Sequence, residues 1–272
     1  MPALSQVTPV LVLLLMLSGL AQASPLAKSV LEASPVDEIV AGYPEMMSEG
    51  VRRGLGQVGQ MDPMMVTTIA TMVRTAFRSA DIEKQLVSDL AGSLSEQQLE
   101  AVGQWYQTPL AKRIGRAEIE ASRAEAWRPI EQGAPELQAK FRGSERARLF
   151  TRYDQAARAT ESAVDTTIAV QLGLAAAMAA VQGDQGPGFE RMQQMIQSQR
   201  EQIRAVVAQQ VYDIYLYTYQ DFSVDELKEY IQFLETDAGA RFTRVVTAGI
   251  QEAITRPVET VGRQLARFLN PS

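Results

Sequence analysis

The feature that most narrows the fold is a stretch that this chain writes twice. "LSEQQLEAVGQWYQTPLAKRIGR" (residues 94–116) and "FSVDELKEYIQFLETDAGARFTR" (residues 222–244) align without a gap, with six of 23 positions identical. Random pairing at ordinary residue frequencies gives about one or two identities. The residues that agree in kind are those that shape helices. Ser95 and Ser223 stand as N-caps, with Gln98 and Glu226 three residues later to close a capping box. Leu94 with Leu99, and Phe222 with Leu227, bracket those caps at staple positions. Apolar stripes follow at helical spacing, Leu99, Val102, Trp105 and Tyr106 in one copy, Leu227, Tyr230, Ile231 and Leu234 in the other. A second N-cap, Thr108 or Thr236, then starts another helix. Pro109 suits the first helical position because its missing N–H has no partner there, and Asp237 suits it because a carboxylate faces the positive end of the helix dipole. Each unit is a short capped helix, a sharp corner and a longer helix. One such unit leaves apolar faces bare, and two packed together cover them.

The remaining sequence points the same way. Apolar residues recur at helical spacing nearly throughout, strand-like alternation is scarce, and the helix formers Ala, Leu, Glu, Gln and Arg dominate. The expected fold is all-α, with two pseudo-repeated helical units packed into one bundle-like body. Gly- and Pro-containing breaks at 49–63, 128–135 and 182–188 divide the chain. They suggest a first helical unit over 24–130, a connecting long-helix region over 131–187 and a second helical unit over 188–272, with repeat cores at 94–116 and 222–244. The connecting region ends in "TTIAVQLGLAAAMAAVQ", apolar on nearly every side, which fits a helix buried by its neighbours.

The pattern of Ser, two residues, an acid or amide and Leu, followed by paired aromatics, Thr–Pro and Gly, resembles domain-of-unknown-function family 2059 (DUF2059), here in two copies. "WYQTPLAKR" keeps Thr108–Pro109 but has Ala111 where the family has Gly, and "FLETDAGAR" keeps Gly239 but has Asp237 in place of Pro. The resemblance implies an all-α, periplasmic bacterial protein, and brings with it no reaction and no catalytic residues.

The N-terminus predicts export. "VLVLLLML" (Val10 to Leu17) is an uninterrupted apolar run, and Ala21 and Ala23 fit a signal-peptidase site cleaved after Ala23. Residues 1–23 are therefore read as a signal peptide and the mature chain as periplasmic or secreted. The run is too short to span a bilayer, which needs roughly 20 apolar residues, so no transmembrane span is expected in the mature chain. With no Cys and no His, the chain lacks disulfides, Cys or His nucleophile–base pairs, His-based triads and the usual zinc sites. A net charge of −6 argues against a general nucleic-acid binder.

No motif establishes a reaction, and the chain is read as a non-enzyme with no cofactor and no metal. "GLGQVG" (Gly54, Gly56, Gly59) matches a dinucleotide fingerprint only formally, because no strand precedes it; a helix–helix connection is the better reading. Methionines at 46, 47, 61, 64, 65, 192 and 195 offer soft Cu(I) ligands, set against ordinary core packing at helical spacing. Carboxylates from Asp221 to Asp237 read as helix-start charges and solvated faces rather than a catalytic pair. Tyr212, Tyr215 and Tyr219 share a helix face and, with Trp105 and Tyr106, are the candidate lining of a ligand cleft between the two units. "KFRGSERARLFTRYDQAAR" (residues 140–158) carries Arg142, Arg146, Arg148 and Arg152 as a candidate basic interaction face. The functional expectation is an exported helical protein that binds an envelope partner or associates with itself. A binder of a small apolar ligand is the alternative, and a carboxylate enzyme comes third.

Overall fold

The computed structural model describes residues 25–57, 63–182 and 189–269; the stretch expected to be a signal peptide, residues 1–23, lies outside them. Every regular element among the described residues is helical. Helix α1 (residues 25–33) leads into α2 (Pro35–Gln57), α3 (Pro63–Ala76) and α4 (Ser79–Ser93). The first capped pair is α5 (Glu96–Gln107) and α6 (Pro109–Ser122), joined through a single 3-10 turn to α7 (Trp127–Phe141). Then come α8 (Glu145–Ala157), α9 (Ala159–Gln182), α10 (Phe189–Ser198) and α11 (Arg200–Thr218). The second capped pair, α12 (Val224–Glu235) and α13 (Asp237–Leu269), completes the fold.

Both pairs are built by the same local chemistry. Ser95 Oγ accepts from the Gln98 N–H while the Gln98 side chain accepts from the Ser95 N–H, and Ser223 with Glu226 repeats the arrangement. At the corners, Thr108 Oγ1 accepts from the Ala111 N–H and Thr236 Oγ1 from the Gly239 N–H. Thr108→Ala and Thr236→Ala are each expected to destabilise the fold by about 1 kcal/mol in urea unfolding. The second corner is the tighter one. A Cβ on Gly239 would sit 2.1 Å from the Phe233 carbonyl oxygen, which is backbone and cannot swing aside. Gly239→Ala is accordingly expected to lose about 1–3 kcal/mol in the same measurement. The first corner already houses Ala111, buried, at the equivalent position.

The two pairs reach into one another through matching residues. Arg113 pairs with Glu226 and lies 5.0 Å over the Phe222 ring, at the start of the opposite short helix. Arg241, the aligned residue, donates to the Ser93 carbonyl at 3.0 Å, immediately before the other one. Gln98 donates to Asp237 at 2.6 Å. Between these polar edges the stripes meet in one core that holds Leu99, Val102, Tyr106, Leu227, Tyr230, Ile231 and Leu234, together with residues of α1, α2, α4, α8 and α11. A second cluster joins Val164 and Ile168 of α9 to Val207 of α11. There Arg200 bonds Glu161 and Asp165 at 2.5 and 2.7 Å, tying the start of α11 to α9.

Three sequence expectations change. The break expected at 128–135 is helical: α7 runs through Pro135, so a unit boundary at residue 130 cuts a helix. The long-helix region is three helices, interrupted at Gly143, with φ of 69°, and at Arg158, with φ of 53°. Ser144 caps α8 by accepting from the Ala147 N–H, and Asp154 accepts from the Thr160 N–H at 2.7 Å to start α9. Gly54 and Gly56 lie inside α2 rather than in a connection, while Gly59 is outside the described residues. Among the described residues no helix is long and apolar enough to cross a membrane.

Candidate functional site

Helix α6 buries the face that carries Ala111, Ile114, Gly115 and Ala121. Glu118 lies four residues after Ile114 and three before Ala121, so the helical period places its carboxyl on that same face. Two tyrosines from other helices meet it there. Tyr219, at the end of α11, donates to Glu118 Oε1 at 2.6 Å, and Tyr230 of α12 donates to the same oxygen at 2.7 Å. The Tyr153 hydroxyl is 3.3 Å from that of Tyr219. A phenol has one proton, and Tyr219 gives its own to Glu118, so Tyr153 is the donor in that contact. Among the described residues nothing donates to Glu118 Oε2.

Burial sets the electrostatics. Desolvation raises the Glu118 pKa above its ordinary value, and the two tyrosine hydrogen bonds oppose that rise. Tyr219 and Tyr230 are pushed well up, first by burial and then by the neighbouring Glu118 charge. Burial pushes Tyr215 up to about 12. These phenols therefore stay protonated and act as donors. The rings of Tyr153, Tyr215 and Tyr219 stand 5.1–5.5 Å apart in tilted and edge-on pairs, which locks the hydroxyl positions.

Above this cluster opens a cavity of about 820 Å³. It is lined by Glu118 and Ala121 of α6, Trp127, Ile130 and Ala134 of α7, Ile214 and Tyr215 of α11 with Tyr219 just past its end, and Ile39 and Met46 of α2. The volume suits a small ligand, and the wall is mainly apolar with a few convergent polar groups.

Matching these positions to sequence expectation separates the candidate residues. Tyr215 and Tyr219 line the cavity. Trp105 and Tyr106 do not: Trp105 stacks on Phe233 at 4.5 Å, and Tyr106 meets Phe233 and Phe242 edge-on. These rings fill the contact between the two capped pairs, so the opening lies among α2, α6, α7 and α11 instead. Tyr212 packs edge-on against Phe150 at 4.9 Å. The four candidate arginines of the basic stretch part company as well. Arg142 and Arg148 are exposed and Arg152 pairs with Glu235, but Arg146 is buried and bonds the Tyr219 and Phe222 carbonyls. Of the candidate methionines Met61 lies outside the described residues and the others are spread over three helices, with Met46 and Met47 against the core and Met64 and Met195 exposed. Among the described residues no group of three or more acidic side chains gathers to hold a metal.

Sequence reasoning missed Glu118. Its signal was an acid on the apolar stripe of α6, where a carboxylate requires partners from elsewhere in the fold. The segment from α4 to α7 thus supplies the carboxyl and one wall of the cavity. Residues 80–140 match a family described as an uncharacterized protein conserved in bacteria (DUF2059). The matched segment includes Glu118, Trp127, Ile130 and Ala134, while Tyr215, Tyr219 and the stretch 222–244 lie beyond it. No curated protein matches the chain, and no solved structure matches it.

Proposed function

We propose that this is an exported, non-enzymatic binding protein of the bacterial envelope, and that it holds a small, mainly apolar ligand in the cavity above Glu118. Residues 1–23 direct export, and the mature chain works in the periplasm. Residues 222–244 are a second copy of the DUF2059 unit, a reading supported by the equivalent reach of Arg113 and Arg241 across the two pairs. The observation that carries the function is the cavity of about 820 Å³ with mainly apolar walls and a half-buried carboxyl, Glu118, held in place by two phenol donors. Its polar groups are held in place by packing, as a preformed binding site requires. The test is to extract protein purified from its own periplasm into organic solvent and identify what co-purified by mass spectrometry. A small molecule near stoichiometric amount, lost from Ile214→Trp protein, is the expected result. Cytoplasmic retention, or an empty protein that takes up no apolar probe, would count against it.

A second reading, docking of a protein partner, draws on α11. Val206 and Ile214 are 60% and 43% exposed and lie eight residues apart on one helical face. In-cell crosslinking that captures one envelope protein, and loses it on Val206→Lys, would favour this reading.

A further inference from the structure

We propose that the cavity selects an organic cation, an amine or ammonium with an apolar body, whose charged head lies against Glu118. This rests on the cavity being the binding site and names the class of ligand it takes. The ionisable groups on the wall, phenols apart, are three carboxylates, Glu118, Glu131 and Asp213; no Lys or Arg is among the lining residues. Arg53, 4.9 Å over the Trp127 ring, is not part of the wall.

The three phenol donors and the Ser122 hydroxyl on the wall are already committed. Tyr219 gives its proton to Glu118, Tyr153 turns to Tyr219, and the Tyr215 hydroxyl donates to the Arg146 carbonyl at 3.1 Å. Ser122 donates to the Ile119 carbonyl at 2.7 Å. Other polar side chains there, such as Gln210 and Thr218, are neutral. Acceptors remain open in contrast. Both tyrosine bonds fall on Glu118 Oε1, and among the described residues Oε2 receives none. Asp213 is held at Oδ1 by Gln138 and Gln209, at 2.6 and 2.9 Å. A ligand carboxylate entering this site would meet like charge with no Lys or Arg on the wall to pair with. An ammonium brings the positive charge that the wall lacks, and the aromatic rings of Tyr153 and Tyr215 attract it further. It also offsets the desolvation that raises the Glu118 pKa.

The test titrates the purified chain calorimetrically at neutral pH with octylamine, 1-octanol and octanoate, which share one apolar body and differ in the head. Octylamine is expected to bind at least about tenfold more tightly than either of the others. Glu118→Gln keeps an acceptor for both tyrosines, and should bring octylamine down to the octanol affinity measured on the same variant. Ile214→Trp, a change at a half-exposed wall residue, should weaken all the ligands that bind. Equal binding of octylamine and octanol, or an amine preference that survives Glu118→Gln, would overturn the cation assignment and leave the cavity reading standing. If none of the three binds, or Ile214→Trp changes nothing, the cavity reading itself fails and this inference goes with it.

Discussion

Replacing Arg146 with Met is expected to destabilise the protein by about 3 kcal/mol, while Arg152→Met costs less than about 1 kcal/mol. The two arginines are six residues apart in "ERARLFTR" and both sit on α8. Arg146 is buried, with its guanidinium bonded to the carbonyls of Tyr219 and Phe222 just past the end of α11 and stacked 4.7 Å from the Phe141 ring. The Tyr219 carbonyl has a second donor, the Phe222 N–H at 3.1 Å, so it is only weakened by the loss. The Phe222 carbonyl loses its guanidinium donor, and a buried unsatisfied carbonyl carries its full desolvation penalty. Desolvation lowers the Arg146 pKa, but guanidinium starts so high that it stays charged. Arg152 makes a two-pronged pair with Glu235, yet both partners are more than a third exposed, where solvent screens the attraction. Urea unfolding of the two variants with unchanged slope would check the contrast. Equal, small losses would mean that the end of α11 does not depend on Arg146.

The contrast also shows what the sequence could carry. Helix starts at Ser95, Ser144 and Ser223 depend on residues three positions away, and the helical class follows from periodicity over tens of residues. Such local rules are readable along the chain. Arg146 and Arg152 obey the same local rules, and only the position of α11 decides which of them is buried. Trp105 and Tyr106 are likewise on the stripe their spacing requires, but Phe233 and Phe242 from the other pair fill the space a ligand would need. The cavity arises where α2, α7 and α11 come together beside α6, far apart in sequence. Glu118 was visible as an acid out of place on an apolar stripe. Its partners Tyr219 and Tyr230 lie about a hundred residues away, at separations of 101 and 112, and no local pattern pairs them.

Glu118→Leu is expected to be about 2–4 kcal/mol less stable than Glu118→Gln. Both changes remove the charge, but only Gln keeps an oxygen that can accept from Tyr219 and Tyr230. In the Leu variant Tyr230 is left with a buried, unsatisfied donor, and Tyr219 exchanges a bond to a carboxylate for the long 3.3 Å contact with the Tyr153 hydroxyl. The Gln variant also isolates the charge itself. Because the folded protein holds the Glu118 pKa above its ordinary 4.5, the native state keeps a proton that the unfolded chain has released. Below that value both states are protonated and Glu118 adds no pH dependence. As pH rises through it the unfolded state ionises first, so the wild type loses stability until the raised folded pKa is passed. Thermal unfolding from acid to neutral pH should therefore show Glu118→Gln gaining on the wild type as pH rises. Glu161, Glu226 and Glu235 run the opposite way, with pKa values lowered by hydrogen bonds to Arg204, the Ser223 backbone and Arg152 respectively, and so destabilise both chains as pH falls. Their effect cancels in the difference between the two proteins. A gap that does not change with pH would show that the carboxyl is solvated through the cavity, and would leave the tyrosine bonds as its only tie to the fold.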